Sequence, residues 1–371
     1  MQLVSNIPQN RVSRKNTVSF GEHMPSRETM QYLSGLKPME RNIGSINLSK
    51  IEDVFGGINI FKGIKIKDFF TKNFVFDSIL VQRGCPHQCV HCGAEASSRI
   101  RIMTIDNFKK TIDGISTLNK RLGFNPFENP KSVSLYSDSD PIIYRSKGAD
   151  KKYHSIFDAA KYMYKKTDMK TGIQTAGWLS GFSKETAEKF VKDSSMLNYF
   201  GISVHPFHKY MERFIQADMK GNTQEANKWR NVYTDMIANN LETTISLKDK
   251  IQYGITLEYV REDKFLTDKN REQYYNRRAA CQLYNEIADK LEIKNIDSTD
   301  LSIETRDIAL EGRGFNLGRS IIAPTYQRDF NSIMIDTDGS ILSNPYQLES
   351  VFFKPHPVTD DAGNPLKLNF E

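Results

Sequence analysis

The sequence predicts an α/β protein, a partial (β/α)6 TIM-like barrel with a small C-terminal hairpin extension. From about residue 75, short β-branched or aromatic runs alternate with amphipathic helical stretches, and that unit repeats about six times. Right-handed connections between parallel strands curl such a chain into a barrel or part of one, with the strand C-termini and their loops on one face. With 371 residues and 39% hydrophobic content, the chain can bury one large core, or a core and a small accessory domain.

The expected strands are Ser78–Gln82, Ser132–Tyr136, Gly172–Thr175, Tyr199–His205, Tyr253–Tyr259 and Asp307–Leu310. Between them, helical periodicity runs over Ile105–Leu122, Ser155–Lys166, Ser183–Lys192, Thr223–Asn239 and Arg271–Leu291. Several of these open with Ser, Thr or Asp in a position suited to an N-cap. Residues 1–70 read as a polar N-terminal tail and lead-in, 71–315 as the core barrel and 316–371 as the C-terminal extension.

The N-terminal MQLVSNIPQNRVSRKN has no apolar region of the kind a secretory signal needs, and no later stretch has the length of a membrane span. A cytoplasmic protein is expected, with no membrane partner. The net charge of +6 is spread through runs of mixed sign such as KKYHSIFDAAKYMYKKTDMK. Solvated helix faces account for such runs, so nucleic acid is a possible partner but not the favoured one.

The chain has four cysteines, and Cys85, Cys89 and Cys92 fall within the eight residues CPHQCVHC. That cluster is too tight for a disulfide framework in a chain of this size, which leaves thiolate ligation of a metal. Two metal centres fit the spacing. A cubane iron-sulfur cluster has four irons, each wanting a further ligand, so three cysteines leave one iron open. A Cys3His zinc site, completed by His87 or His91, is the other.

The Cys85-x3-Cys89-x2-Cys92 motif directly follows the first strand of a repeated β/α pattern, in SILVQRGCPHQCVHCGAEAS. In this it resembles the signature of the radical S-adenosylmethionine (SAM) superfamily, over about residues 75–315. The resemblance implies a [4Fe-4S] cluster whose open iron binds the amino and carboxylate groups of S-adenosyl-L-methionine. An electron from the reduced cluster would cleave the sulfonium C–S bond, and the resulting 5′-deoxyadenosyl radical would abstract hydrogen from a substrate. The family has an aromatic residue just before the third cysteine, packed toward the adenine; His91 stands there, and an imidazole can also stack.

The same resemblance assigns the supporting residues. In SLYSDSDP, Ser137, Ser139 and Asp140 match the turn that receives the methionine amino group, although an ordinary Asp/Ser turn has the same composition. Thr175, Ser203 and His205, at the ends of the third and fourth strands, match positions that help bind ribose and carboxylate. His205 and Glu258 fit equally well as structural groups. Ile255 in GITLEYV matches the strip laid against adenine, and core packing explains it as well.

Cys281 recurs with Tyr274, Tyr284, Ala288 and Leu291 at helical spacing, which suits a small buried residue. A sharper role is catalytic: donation of a hydrogen atom to a substrate radical, as a thiol does in radical SAM epimerases. Farther on, ALEGRGFNLGR and SIMIDTDGSILSNPYQ resemble the linker and hairpin of a SPASM or twitch extension, with Asp338-Gly339 suited to a tight hairpin turn. Ser343-Asn344-Pro345 stands where such extensions place a cysteine, so no auxiliary cluster is expected.

The function expected is therefore that of a single-cluster radical SAM enzyme acting on a peptide or a small polar metabolite. Epimerisation or a redox-neutral rearrangement suits the single spare cysteine, and a flavodoxin or ferredoxin suits the role of electron donor. The alternative is a non-catalytic zinc-binding module that contacts nucleic acid or protein.

Overall fold

The computed structural model describes residues 57–64, 74–92, 96–122, 127, 132–177, 194–261, 264–308, 317–320, 331–343, 357–360 and 362–371. The expected helix Ser183–Lys192 lies outside the described residues, as do most of the N-terminal tail and Asn344-Pro345. No helix among the described residues is long and apolar enough to cross a membrane.

The chain is mixed α/β. Its first strand, β1 (Phe74–Arg83), is followed by the short β2 (Arg101–Ile102), helix α1 (Ile105–Leu122) and β3 (Ser134–Tyr136). A small antiparallel pair, β4 (Arg145–Lys147) and β5 (Tyr153–Ser155), leads into α2 (Ile156–Thr167) and β6 (Thr171–Thr175). Then come β7 (Leu197–Val204), α3 (Lys209–Met219), α4 (Thr223–Thr244) and β8 (Gln252–Tyr259). The chain continues through β9 (Lys264–Leu266), α5 (Glu272–Tyr275), α6 (Arg277–Ile293), β10 (Ser302–Asp307) and β11 (Gly318–Ser320), to β12 (Asn331–Ile335) and β13 (Ile341–Ser343).

Two parallel arrays carry the architecture. In one, β1 pairs in parallel with β3 on one side and β12 on the other. In the second, β6, β7, β8 and β10 are parallel neighbours in that order. The arrays meet where Val133 N donates to Lys170 O at 2.8 Å, just ahead of β3 and β6. The hairpin turn expected at Asp338-Gly339 forms: Gly339 takes φ +85°, and its N–H donates to Asp336 O at 2.9 Å. Through β12 that hairpin extends the sheet of β1.

Local sequence explains the helices. In α1, Ile105, Phe108, Ile112, Ile115 and Leu118 form one fully buried stripe, each worth about 1.5–3 kcal/mol of apolar burial. Gly114 on the same helix leaves room for Ile60, whose Cδ1 would lie 2.2 Å from a Cβ added there. A capping box opens α2, with Ser155 N donating to Asp158 Oδ2 at 2.7 Å, and the left-handed Asp168 ends it.

Alternation along β7 and β8 sorts their side chains into two faces. Phe200, Ile202, Tyr253 and Ile255 belong to the face under the helices: the Phe200 and Tyr253 rings stack at 6.1 Å, and Tyr253 Oη shares a 2.8 Å hydrogen bond with Thr244 at the end of α4. Tyr199, Ser203, Thr256 and Glu258 belong to the opposite face.

Two expectations shift. The strand expected at Asp307–Leu310 starts earlier: β10 spans Ser302–Asp307, Ile308 N then donates to Tyr259 O at 3.0 Å, and Ala309 and Leu310 lie outside the described residues. The single helix expected over Arg271–Leu291 breaks at Asn276. There the backbone is extended, and Asn276 Oδ1 accepts from Ala279 N at 2.9 Å to start α6 afresh.

Candidate functional site

The cysteine loop leaves the C-terminal end of β1. Gly84 makes the exit with φ +85°, and a Cβ there would lie 2.3 Å from Arg99 O, so the position admits glycine alone without displacement. Cys85 N donates to Ser97 O at 2.8 Å, and Cys92 N donates to Cys89 O at 3.2 Å. Gln88, at φ +49°, donates through Nε2 to Cys85 O at 2.5 Å and to Ala96 O at 3.1 Å. Both sides of the loop are thus tied together, and all three cysteines are half-buried.

Asp140, which the sequence matched to a cofactor contact, is 5% exposed and holds the site together. Its carboxylate accepts from Ile142 N at 3.1 Å, from Thr175 Oγ1 at 2.9 Å and from Ala176 N at 2.9 Å, and it lies 3.1 Å from His87 Nε2. It therefore locks the turn after β3 to the end of β6 and to the cysteine loop. Thr175 is spent on that latch. Ser139 Oγ donates to Gln82 O at 3.2 Å, and Ser137 lies in the same turn.

His91 Nε2 is 3.2 Å from Glu258 Oε2, and the other carboxylate oxygen accepts from Arg306 Nη1 at 3.2 Å. The His91 ring packs against His205 and Phe207, with centroids 4.8 and 4.6 Å apart. With His87 and His208, whose rings are 5.3 Å apart, four of the seven histidines surround one loop. Both histidines offered for a Cys3His zinc site thus have a ring nitrogen turned to a carboxylate.

Electrostatics follow from burial. Burial, and next the Asp140 carboxylate, push the Cys85 thiol up to about 11, so a bare thiolate is disfavoured at neutral pH. A bound cation reverses that balance, since metal ligation deprotonates its thiols. His205 is pushed down to about 3 by burial, with His91 adding to the effect. Burial alone would raise the Glu258 carboxyl, but the His91 hydrogen bond and the charges of His205, His91 and Arg306 outweigh it and hold it down to about 2.

Ser203 belongs to a polar row along the strands. Gln174 Nε2 donates to Ser203 Oγ at 2.7 Å, Tyr199 Oη donates to Gln174 Oε1 at 2.6 Å, and Gln174 N donates to Tyr136 Oη at 2.6 Å. Sequence reasoning does not reach Gln174, Tyr199, Tyr136 and Arg306; for Tyr199 the signal available is its alternation with Phe200, Ile202 and Val204 along β7.

Two sequence-matched residues are not brought to the loop. Ile255 shares the face of Tyr253, under the helices, so it packs in the core rather than beside Glu258. Cys281 sits on α6, whose buried stripe of Ala280, Leu283, Tyr284, Ile287 and Leu291 packs on α4 and β8. That places it in the helix layer on the far side of the sheet.

No protein-family model matches the chain, and no curated protein is significantly similar to it.

Proposed function

We propose that this chain is a radical SAM enzyme in which Cys85, Cys89 and Cys92 hold a [4Fe-4S] cluster with one iron open to S-adenosyl-L-methionine. The observation that carries this reading is the placement of the loop: three soft thiols follow the end of β1, a central parallel strand, and Asp140 after β3, His205 at the end of β7 and Glu258 on β8 stand beside the loop that carries them. The strands then form an open (β/α) barrel with its chemistry at their C-terminal ends.

The donor set fits such a cluster. The three thiols offer one soft ligand each to three irons of a cubane and leave the fourth iron open. When bound, the cluster and S-adenosyl-L-methionine supply reductive C–S cleavage and hydrogen abstraction.

The chain's own residues do the rest. Gly84, Gln88 and the Asp140 latch fix the loop, and Ser137 and Ser139 offer hydroxyls beside it. The row of Tyr136, Gln174, Tyr199, Ser203 and Arg306 lines the site face with hydrogen-bonding groups, which suits a peptide or small polar metabolite better than an apolar substrate. Because Cys281 sits on α6, in the helix layer that packs on β8, this reading assigns the return of hydrogen to the substrate to another group. A flavodoxin or ferredoxin fits the role of electron donor.

The test is anaerobic reconstitution with iron and sulfide, followed by measurement of 5′-deoxyadenosine release with reductant and S-adenosyl-L-methionine. Release that is lost in Cys85→Ala, Cys89→Ala and Cys92→Ala supports the reading; bound zinc with no release overturns it.

A further inference from the structure

Beside the cysteine loop, three side chains from three different elements converge. His91 comes from the loop, His205 from the end of β7 and Glu258 from β8, and one ligand atom from each lies within 4.8 Å of the others. We infer that His91, His205 and Glu258 form a mononuclear site for a divalent first-row metal ion, distinct from the cysteines.

The spacing already approaches that of a metal site. With metal–ligand bonds of about 2.0–2.2 Å, two ligands on one tetrahedral ion sit roughly 3.3 Å apart. His91 Nε2 and Glu258 Oε2 are 3.2 Å apart. The His205 ligand atom lies within 4.8 Å of both.

Two further observations point to a ligand. His205 is 2% exposed, and its Nδ1 has no hydrogen-bond partner, as is also true of His91 Nδ1. Buried polar groups are nearly always satisfied, so an unpartnered nitrogen on a buried imidazole in such a group points to a ligand. Glu258 is also oriented from behind: Arg306 holds Oε1 and leaves Oε2 toward the histidines, as outer-shell groups do for ligating carboxylates.

Two imidazoles and one carboxylate select a borderline divalent ion such as zinc, iron(II) or cobalt(II), and leave coordination positions open for water or a substrate oxygen. The site uses no cysteine, so it stands whether or not the thiols carry a cluster.

The test uses the full chain carrying Cys85→Ala, Cys89→Ala and Cys92→Ala together, titrated with Co2+. One equivalent should bind with weak visible bands and without an intense thiolate charge-transfer band. Adding His91→Gln or Glu258→Gln should weaken binding by at least ~10-fold, whereas His154→Gln, at an exposed pair with Asp150, should not. Circular dichroism checks that each variant is folded. Paramagnetic shifts in the triple variant give a readout that needs no further substitution, and should fall on the His91 and His205 imidazoles. Absence of stoichiometric binding, unchanged affinity in folded His91→Gln and Glu258→Gln, or shifts centred on other histidines would overturn the inference.

Discussion

Asp140→Asn changes one buried atom and tests how the site is held. In the native protein the carboxylate accepts from Ile142 N, Thr175 Oγ1 and Ala176 N and faces His87. The amide keeps the shape, but its NH2 turns a donor toward a donor. Hydrogen bonds to a charged group contribute about 1.5–3 kcal/mol each, so weakening two of them costs about 3 kcal/mol. With an unfolding entropy of about 2.1 cal/mol/K per residue over 371 residues, that is a fall in Tm of roughly 4 °C.

A second readout separates charge from scaffold. The Cys85 thiol stands at about 11 against an ordinary 9.0, with burial the larger cause and Asp140 the next. Two units lower the thiolate fraction on the order of 100-fold at neutral pH, and loss of the Asp140 charge restores a part of it. Alkylation of Cys85 by iodoacetamide in the metal-free protein should therefore speed up several-fold, with Cys281 as the internal reference. Thr175→Val cuts the latch but leaves the charge, so it should lower Tm without speeding alkylation. An Asp140→Asn protein with unchanged Tm and an unchanged Cys85 rate would refute the latch.

Gly84→Ala should destabilise the protein by at least ~2 kcal/mol and lower the iron content after reconstitution, because the added Cβ meets Arg99 O at 2.3 Å with φ at +85°; native-like iron content and denaturation midpoint would count against the loop geometry. Arg83 bridges Asp138 at 2.9 Å and Asp336 at 3.1 Å, so Arg83→Met should cost about 2–3 kcal/mol by leaving two carboxylates facing each other, and adding Asp336→Asn should recover part of that loss in urea denaturation. The folded Glu258 carboxyl is lowered from 4.5 to about 2, so its stabilisation is present above 4.5 and lost as pH falls toward 2. The stability gap between the native protein and Glu258→Gln should narrow over that range; a gap independent of pH would contradict the His91–Glu258 pair.

Much of this arrangement was legible in the sequence, and the failures have physical causes. The boundaries of α1 were read correctly because its apolar stripe has a clear helical period and Thr104 Oγ1 caps it by accepting from Asn107 N at 3.2 Å. The α3 helix was missed because its cap is a histidine: His208 Nδ1 accepts from Tyr210 N, and the preceding Pro206-Phe207 reads as loop. The break at Asn276 was hidden by unbroken periodicity on either side of it.

The cysteine loop stands out in sequence because its ligands are close along the chain. Asp140 was found for its composition, but its role was not, since the partners Thr175, Ala176 and His87 lie 35, 36 and 53 residues away. The His91–His205–Glu258 group joins residues 114 and then 53 positions apart along the chain. No local pattern encodes such a meeting; strand order does.

The most direct test of the cluster is electron paramagnetic resonance of the anaerobically reconstituted, reduced protein, with iron counted per chain. About four irons per chain, a reduced-cluster signal that changes on addition of S-adenosyl-L-methionine, and loss of that signal in Cys85→Ala, Cys89→Ala and Cys92→Ala are expected. A protein that takes up zinc and no iron-sulfur cluster, or one whose cluster survives loss of each cysteine, would contradict the assignment.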